Sequence, residues 1–161
     1  FGYSVGAAAL LMVPRPGVFA LVSPLGGSLV TKVGMRGPMI AGSTAMIGSM
    51  LAFAYGSAPV KFGLTFIVIG LVLSGVSAGL GSPAYQTMVA NSVEDTNLGI
   101  ANGMNQTVMW MGMILGIQSM LAFAGTELTP TRLRVTFIFA ASVAALGYLA
   151  PIFATRPNKK N

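Results

Sequence analysis

The chain has 161 residues, of which 54% are hydrophobic and only 7% charged. Soluble domains carry about 25% charged residues, so this composition belongs to a membrane protein. It contains no cysteine and no histidine, which removes disulfides, thiolate metal sites, a thiol nucleophile and the commonest general base. The formal charge of +6 comes from basic residues scattered along the chain, whereas a nucleic-acid footprint needs them clustered on one face. Neither a cofactor nor a metal is expected.

A helix needs about 20 mostly apolar residues to cross the hydrocarbon core. Five stretches meet that requirement: 5–29, 38–55, 62–89, 98–123 and 130–154. Together they make residues 1–154 a transmembrane domain, followed by a basic tail, 155–161. The predicted class is an all-α integral membrane protein. The chain opens at Phe1 without Met or a basic signal-peptide region. It reads as the C-terminal part of a longer protein, the alternative being a small processed one.

The first span carries Pro14, Arg15, Pro16 and Gly17 near its middle and Pro24 near its end. Proline removes backbone donors and kinks or breaks a helix, which membranes tolerate where protein or a water-filled cavity re-satisfies the freed groups. Arg15 costs a few kcal/mol at bilayer depth unless it meets a cavity or partner, about 3 on insertion scales. It therefore faces a cavity or snorkels outward.

Between the first two spans lies a hinge, Pro24 to Gly42, with Lys32 and Arg36 as its charges. Gly27, Gly34 and Gly37 allow close approach or left-handed turns there, and Pro38 suits the first turn of the next helix. The second span has only small hydroxyl residues as polar groups and reads as peripheral. Gly56 to Pro59 separates it from the third, where Gly75-x-x-x-Gly79 favours close helix packing, with a smooth cavity wall as the second reading. Pro83 kinks that helix near its end.

Glu94 and Asp95 precede the fourth span, where the helix dipole favours acids. Asn105, Met109, Gly112 and Gly116 fall on one face of this span, and Gly99, Gly103, Gln106 and Trp110 on another. Such a helix prefers protein contact on both sides. Its methionines either fill gaps or offer an adaptable binding surface, and Trp110 either packs or stacks on an aromatic ligand. The fifth span, with Thr129 as its cap and Pro130 at its first position, is almost wholly apolar and peripheral.

With Lys32 and Arg36 inside, Arg156, Lys159 and Lys160 also lie inside, five against Lys61, Arg132 and Arg134 outside. That bias makes the loop and the C-terminal tail cytoplasmic. The acids Glu94, Asp95 and Glu127 all sit in loops, so an intramembrane enzyme lacks its catalytic pair. A transporter and a small adaptor or assembly subunit without transport chemistry are the remaining classes, and the broken first span with its Arg favours the transporter.

The loop residues Pro24, Gly27, Leu29, Lys32, Gly34 and Arg36 resemble the P-x-x-G-x-L-x-D-[RK]-x-G-x-R signature of the major facilitator superfamily, with Thr31 in the place of the usual Asp. Gly2-Tyr3-Ser4 through Pro14-Arg15 and Gly99 through Gly112 and Gly116 are similar to motifs of its fourteen-span drug:proton antiporter branch, the EmrB/QacA type. Met109 stands where that branch has Arg. The resemblance covers nearly the whole chain and implies five helices of the C-terminal six-helix half. It further implies alternating access around a midplane site, with the first, third and fourth spans lining the cavity. Arg15, Asn105, Gln106, Met109 and Trp110 are the cavity candidates; Gly75, Gly79, Gly112 and Gly116 are the helix-packing residues. The implied partners are the lipid bilayer, the N-terminal half of the same polypeptide, a small-molecule substrate exported by multidrug-type efflux, and protons. The location is the cell membrane, multi-pass.

Overall fold

The computed structural model describes residues 4–57, 61–125 and 129–153, and every regular element among them is helical. The order is α1 (Val5–Met12), α2 (Pro14–Val33), α3 (Arg36–Gly56), α4 (Gly63–Ala90), a 3-10 turn at Asp95–Asn97, α5 (Leu98–Ala124) and α6 (Pro130–Phe153). Among the described residues five helical paths are long and apolar enough to cross a membrane, the first being α1 and α2 taken together. Ala58, Glu127 and the tail with Arg156, Lys159 and Lys160 lie outside the described residues.

Ser4 starts α1 by accepting the Ala7 N–H at 3.4 Å. At Pro14 the ladder changes step. Leu10 loses its usual donor four residues on, because Pro14 has no N–H, and its carbonyl takes the Val13 N–H at 3.2 Å instead. The Gly17 N–H returns to the Val13 carbonyl at 3.2 Å. The proline-rich stretch therefore offsets the helix without stopping it, and Pro24 is absorbed inside α2.

The expected hinge from Pro24 to Gly42 is mostly helix. Gly27, Thr31 and Lys32 belong to α2, Arg36 opens α3, and of the loop-motif residues only Gly34 sits in the turn. The hydroxyls here do not compete with the helix, since Ser28 Oγ donates to the Leu25 carbonyl at 2.9 Å and Thr31 Oγ1 to the Ser28 carbonyl at 2.8 Å. Termination waits for Gly34, whose φ of 83° needs glycine. Thr129 caps α6, its Oγ1 accepting the Arg132 N–H at 3.4 Å.

Packing centres on α4, which α2 and α3 flank. Against α2, a methyl built on Gly75 meets the Arg15 carbonyl oxygen at 2.7 Å, and one on Gly79 meets Val22 Cβ at 2.9 Å. Gly26 of α2 lies directly on the Gly79 carbonyl, leaving no room for a side chain. Against α3, Gly42 faces the Ser77 carbonyl and Gly81, Gly70 lies under the Phe53 ring, and Gly56 abuts Gly63. The fully buried Ser49 donates its hydroxyl to the Gly70 carbonyl at 2.8 Å, a tie between the two helices. Val30, Met39 and Ala84 close the end nearest the Gly34 turn, with Met35 and Met88 packed around them.

On its other face α3 meets α6. The Phe53 and Phe137 ring centroids are 5.3 Å apart, and the Arg134 guanidinium lies 5.8 Å from the Tyr55 ring centroid. The second span was expected at the periphery, but α3 lies between α4 and α6. Its Gly42, Ser49, Ala52 and Gly56 supply a small-residue stripe that hydropathy alone does not register. By contrast α5 is little covered by protein, with Ala124 as its buried residue and the Phe123–Phe139 pair, 4.3 Å between centroids, holding it to α6.

Two outcomes test this packing. Gly79→Ala places a methyl against Val22 and is expected to cost about 1–3 kcal/mol; adding Val22→Ala recovers much of that loss, read from the unfolding midpoint of the purified protein. In membrane vesicles, Lys32→Cys and Ser92→Cys react with an impermeant thiol reagent from one side and Ser57→Cys from the other. Labelling of all three from one side contradicts the helix alternation.

Candidate functional site

A cleft of about 780 Å³ opens between α2, α4 and α5, within the usual range of ligand pockets, about 300–1,000 Å³. Phe19 enters it from α2. From α4 come Ser77, Gly81, Ser82, Tyr85 and Gln86, with Ala78, Met88 and Val89 between them; from α5 come Asn102, Asn105, Gln106 and Met109. Its polar groups are hydroxyls and amides, and among the described residues no charged side chain lines it.

Helix geometry explains which residues converge. Positions 102, 105, 106 and 109 advance by three, one and three residues and so share one stripe of α5. Asn105 Nδ2 lies 3.8 Å from the Met109 sulfur, one turn further on. On α4, Gln86 Nε2 donates to Ser82 Oγ at 3.2 Å along the cleft wall. The cleft offers several neutral donors and acceptors beside the apolar surfaces of Phe19, Tyr85 and Met109. That combination suits an amphipathic molecule, whose apolar body is desolvated while its polar groups exchange water for amide partners.

Of the residues singled out from sequence, the structure brings Asn105, Gln106 and Met109 together in this cleft. Trp110, the next residue round the helix, is 58% exposed and outside the lining. Arg15 is also outside the lining, though Phe19 one turn along α2 is within it. The Arg15 backbone sits against Gly75, the thirteenth residue of the 28-residue α4. At 1.5 Å per residue that is about 18 Å along the helix, so the arginine leaves α2 near mid-depth.

Phe19, Ser82, Tyr85, Gln86 and Asn102 escaped the sequence reading. A signal for Asn102 existed, because it shares the helical spacing of Asn105, Gln106 and Met109; dividing α5 into two other stripes hid it. Phe19 has no such signal, since one aromatic residue in an apolar span is indistinguishable from its neighbours.

Gly75 and Gly79 lie at the α2–α4 crossing. Gly112 and Gly116, expected to pack helices, do not: nothing stands within 4 Å of a methyl built on either. They line a second, apolar groove of about 420 Å³ with Met46 and Met50 of α3 and Phe139 of α6. The packing expectation failed there because α3 contributes methionines at a distance instead of a backbone in contact. A smaller space of about 220 Å³ shares Ser77, Gly81 and Tyr85 with the cleft and Met46 with the groove. Among the described residues no group of three or more His, Cys, Asp or Glu side chains could hold a metal ion.

A bundle of membrane-length helices around an uncharged cleft, with prolines absorbed inside two of them, is the architecture of a polytopic membrane transport protein. The family model of the Major Facilitator Superfamily matches residues 1–161, and the chain belongs to that superfamily. It is 30% identical over 129 residues to an uncharacterized MFS-type transporter, YwoD, of Bacillus subtilis, covering 78% of this chain and 27% of the relative. It is 26% identical over 115 residues to the multidrug resistance protein Stp of Mycobacterium tuberculosis, covering 71% of this chain and 21% of the relative. The chain thus spans about a quarter of the length of these curated relatives. No solved structure matches it.

Proposed function

We propose that this chain works as part of a longer secondary transporter that exports small amphipathic solutes, of the multidrug type, in exchange for protons. The observation that carries the reading is the cleft between α2, α4 and α5, with amides on one wall and aromatic and methionine surfaces beside them. The name of the Mycobacterium tuberculosis relative supports the solute class, and the superfamily supports the transporter.

In this reading Asn105 and Gln106 hold the polar end of the solute, and Phe19, Tyr85 and Met109 its apolar body. Arg15 faces the central cavity one turn from Phe19, where its mid-depth backbone leaves a charge in need of a watery surrounding. The turn at Gly34 and the C-terminal tail are cytoplasmic, and the protein resides in the cell membrane. Glu94 and Asp95 precede α5, and Glu127 reads from the sequence as a residue of the joint between the last two spans. A proton relay needs a group whose charge changes during the cycle, and arginine keeps its proton. The coupling carboxylate is therefore assigned to the remainder of the polypeptide, an N-terminal half that completes the cavity.

Dye efflux from energised vesicles bearing the full-length protein tests the reading. Asn105→Leu and Gln106→Leu each remove a hydrogen-bonding partner and are expected to lower apparent affinity about tenfold at normal abundance, the equivalent of about 1.4 kcal/mol. Arg15→Ala abolishes efflux while leaving insertion intact, and Arg15→Lys separates the need for charge from the need for a guanidinium fork. Unchanged efflux in both the Asn105 and the Gln106 variant rules the cleft out as the transport site, and unchanged efflux in Arg15→Ala rules out its cavity role.

A further inference from the structure

Eight of the thirteen residues lining the cleft belong to α4, and this helix is interrupted in the middle of that stretch. Pro83 has no N–H to give the Gly79 carbonyl, so the two arms of α4 meet at a joint lacking one ladder bond. Behind the joint the helix is seated on its neighbours, which sets the point about which the arms pivot. Gly26 of α2 covers the freed Gly79 carbonyl, Gly42 of α3 presses on Ser77 and Gly81, and Ala84 is wholly buried beside Val30 and Met39.

On the cleft side the joint is spanned differently. Ser82 ends one arm and Gln86 lies on the first turn of the other. The Gln86 side-chain N–H donates to the Ser82 hydroxyl at 3.2 Å. Gln86 is exposed and Ser82 half-buried, and both line the cleft. The far arm has its own internal tie, from Thr87 Oγ1 to the Pro83 carbonyl at 2.8 Å, so it turns as a unit.

We propose that the Ser82–Gln86 hydrogen bond is a ligand-sensing latch across the Pro83 joint. A neutral ligand bearing a carbonyl, ether or hydroxyl oxygen takes the Gln86 N–H from Ser82, and the Pro83–Ala90 arm is then free to bend. The inference rests on the cleft being the solute site, and it narrows the solute to an uncharged hydrogen-bonding amphiphile. The lining that this chain supplies provides amides and hydroxyls but no countercharge, so against it a neutral ligand is desolvated at less cost than an ion. The exchange is nearly balanced in hydrogen bonds, so the latch opens without a large barrier. A ligand with no acceptor oxygen fills the cleft but leaves the latch shut.

The test uses the full-length protein in lipid nanodiscs, with spin labels on Val33→Cys and Ala90→Cys reporting the position of the α4 arm relative to α2. The probe is Nile red, which is neutral and carries a carbonyl; ethidium serves as the cationic comparison. Nile red is expected to shift the label–label distance distribution, and ethidium to leave it in place. Ser82→Ala and Gln86→Met should each show the shifted distribution without dye. The double variant should go no further than either single one, and Ser82→Thr, which keeps the hydroxyl, should behave as the parent. Nile red binding with an unmoved distribution overturns the latch alone, as does a parent-like distribution in folded Ser82→Ala or Gln86→Met. A failure of Nile red to bind the parent overturns the cleft reading and the latch with it.

Discussion

The backbone contact between α2 and α4 at Gly26, Gly75 and Gly79 is the constraint on which the rest of the bundle depends. In a bilayer, apolar side chains gain little by leaving lipid for protein, so helices associate through close van der Waals fit and a few hydrogen bonds. Glycine permits that fit because backbone meets backbone. Here the Gly79 carbonyl, left without its helical donor by Pro83, lies under Gly26. The same few residues that seat α2 on α4 therefore also cover the polar defect that proline creates, and both helices contribute to the cleft from this shared crossing.

A second constraint follows from the position of α4. Its opposite side is fixed to α3 through Gly42, the buried Ser49 hydrogen bond and the Phe53 ring over Gly70. With two faces committed to neighbours, a third is left to line the cleft. That face carries serine, tyrosine and glutamine, which would be costly against lipid. The wall contributed by α5 is less tightly held, since α5 touches α6 through Phe123 and little of it is buried. The arm of α4 that precedes Pro83 is thus held by packing on two sides, and the α5 wall is free of that restraint.

The five-helix architecture was legible from sequence because length and hydropathy determine a membrane span almost without reference to tertiary structure. Family membership was legible from the spacing of a handful of glycines, prolines and charges. The Pro24–Gly42 stretch misled because glycines and charges imitate a loop, whereas the hydroxyls of Ser28 and Thr31 bond back within the helix. The central place of α3 was hidden for a related reason. Hydropathy weighs what a side chain is, while Gly42, Ser49 and Gly56 matter for what they leave out. Three of the four α5 residues of the cleft were visible, Asn105, Gln106 and Met109; its α4 counterparts Ser82 and Gln86 were not, since their convergence depends on how the helices cross.

The turn at Gly34 is brief: α2 ends at Val33 and α3 begins at Arg36. A linker of two residues reaches about 7 Å at most, whereas the hydrocarbon core is about 30 Å thick. During synthesis the end of α2 and the start of α3 can never occupy opposite surfaces of the bilayer. The two helices have to enter it as one hairpin, and neither can reorient afterwards without carrying the other through. An error in the placement of α2, the helix burdened with Arg15 and three prolines, is thereby passed on to α3, and the quality of biogenesis is decided at that pair.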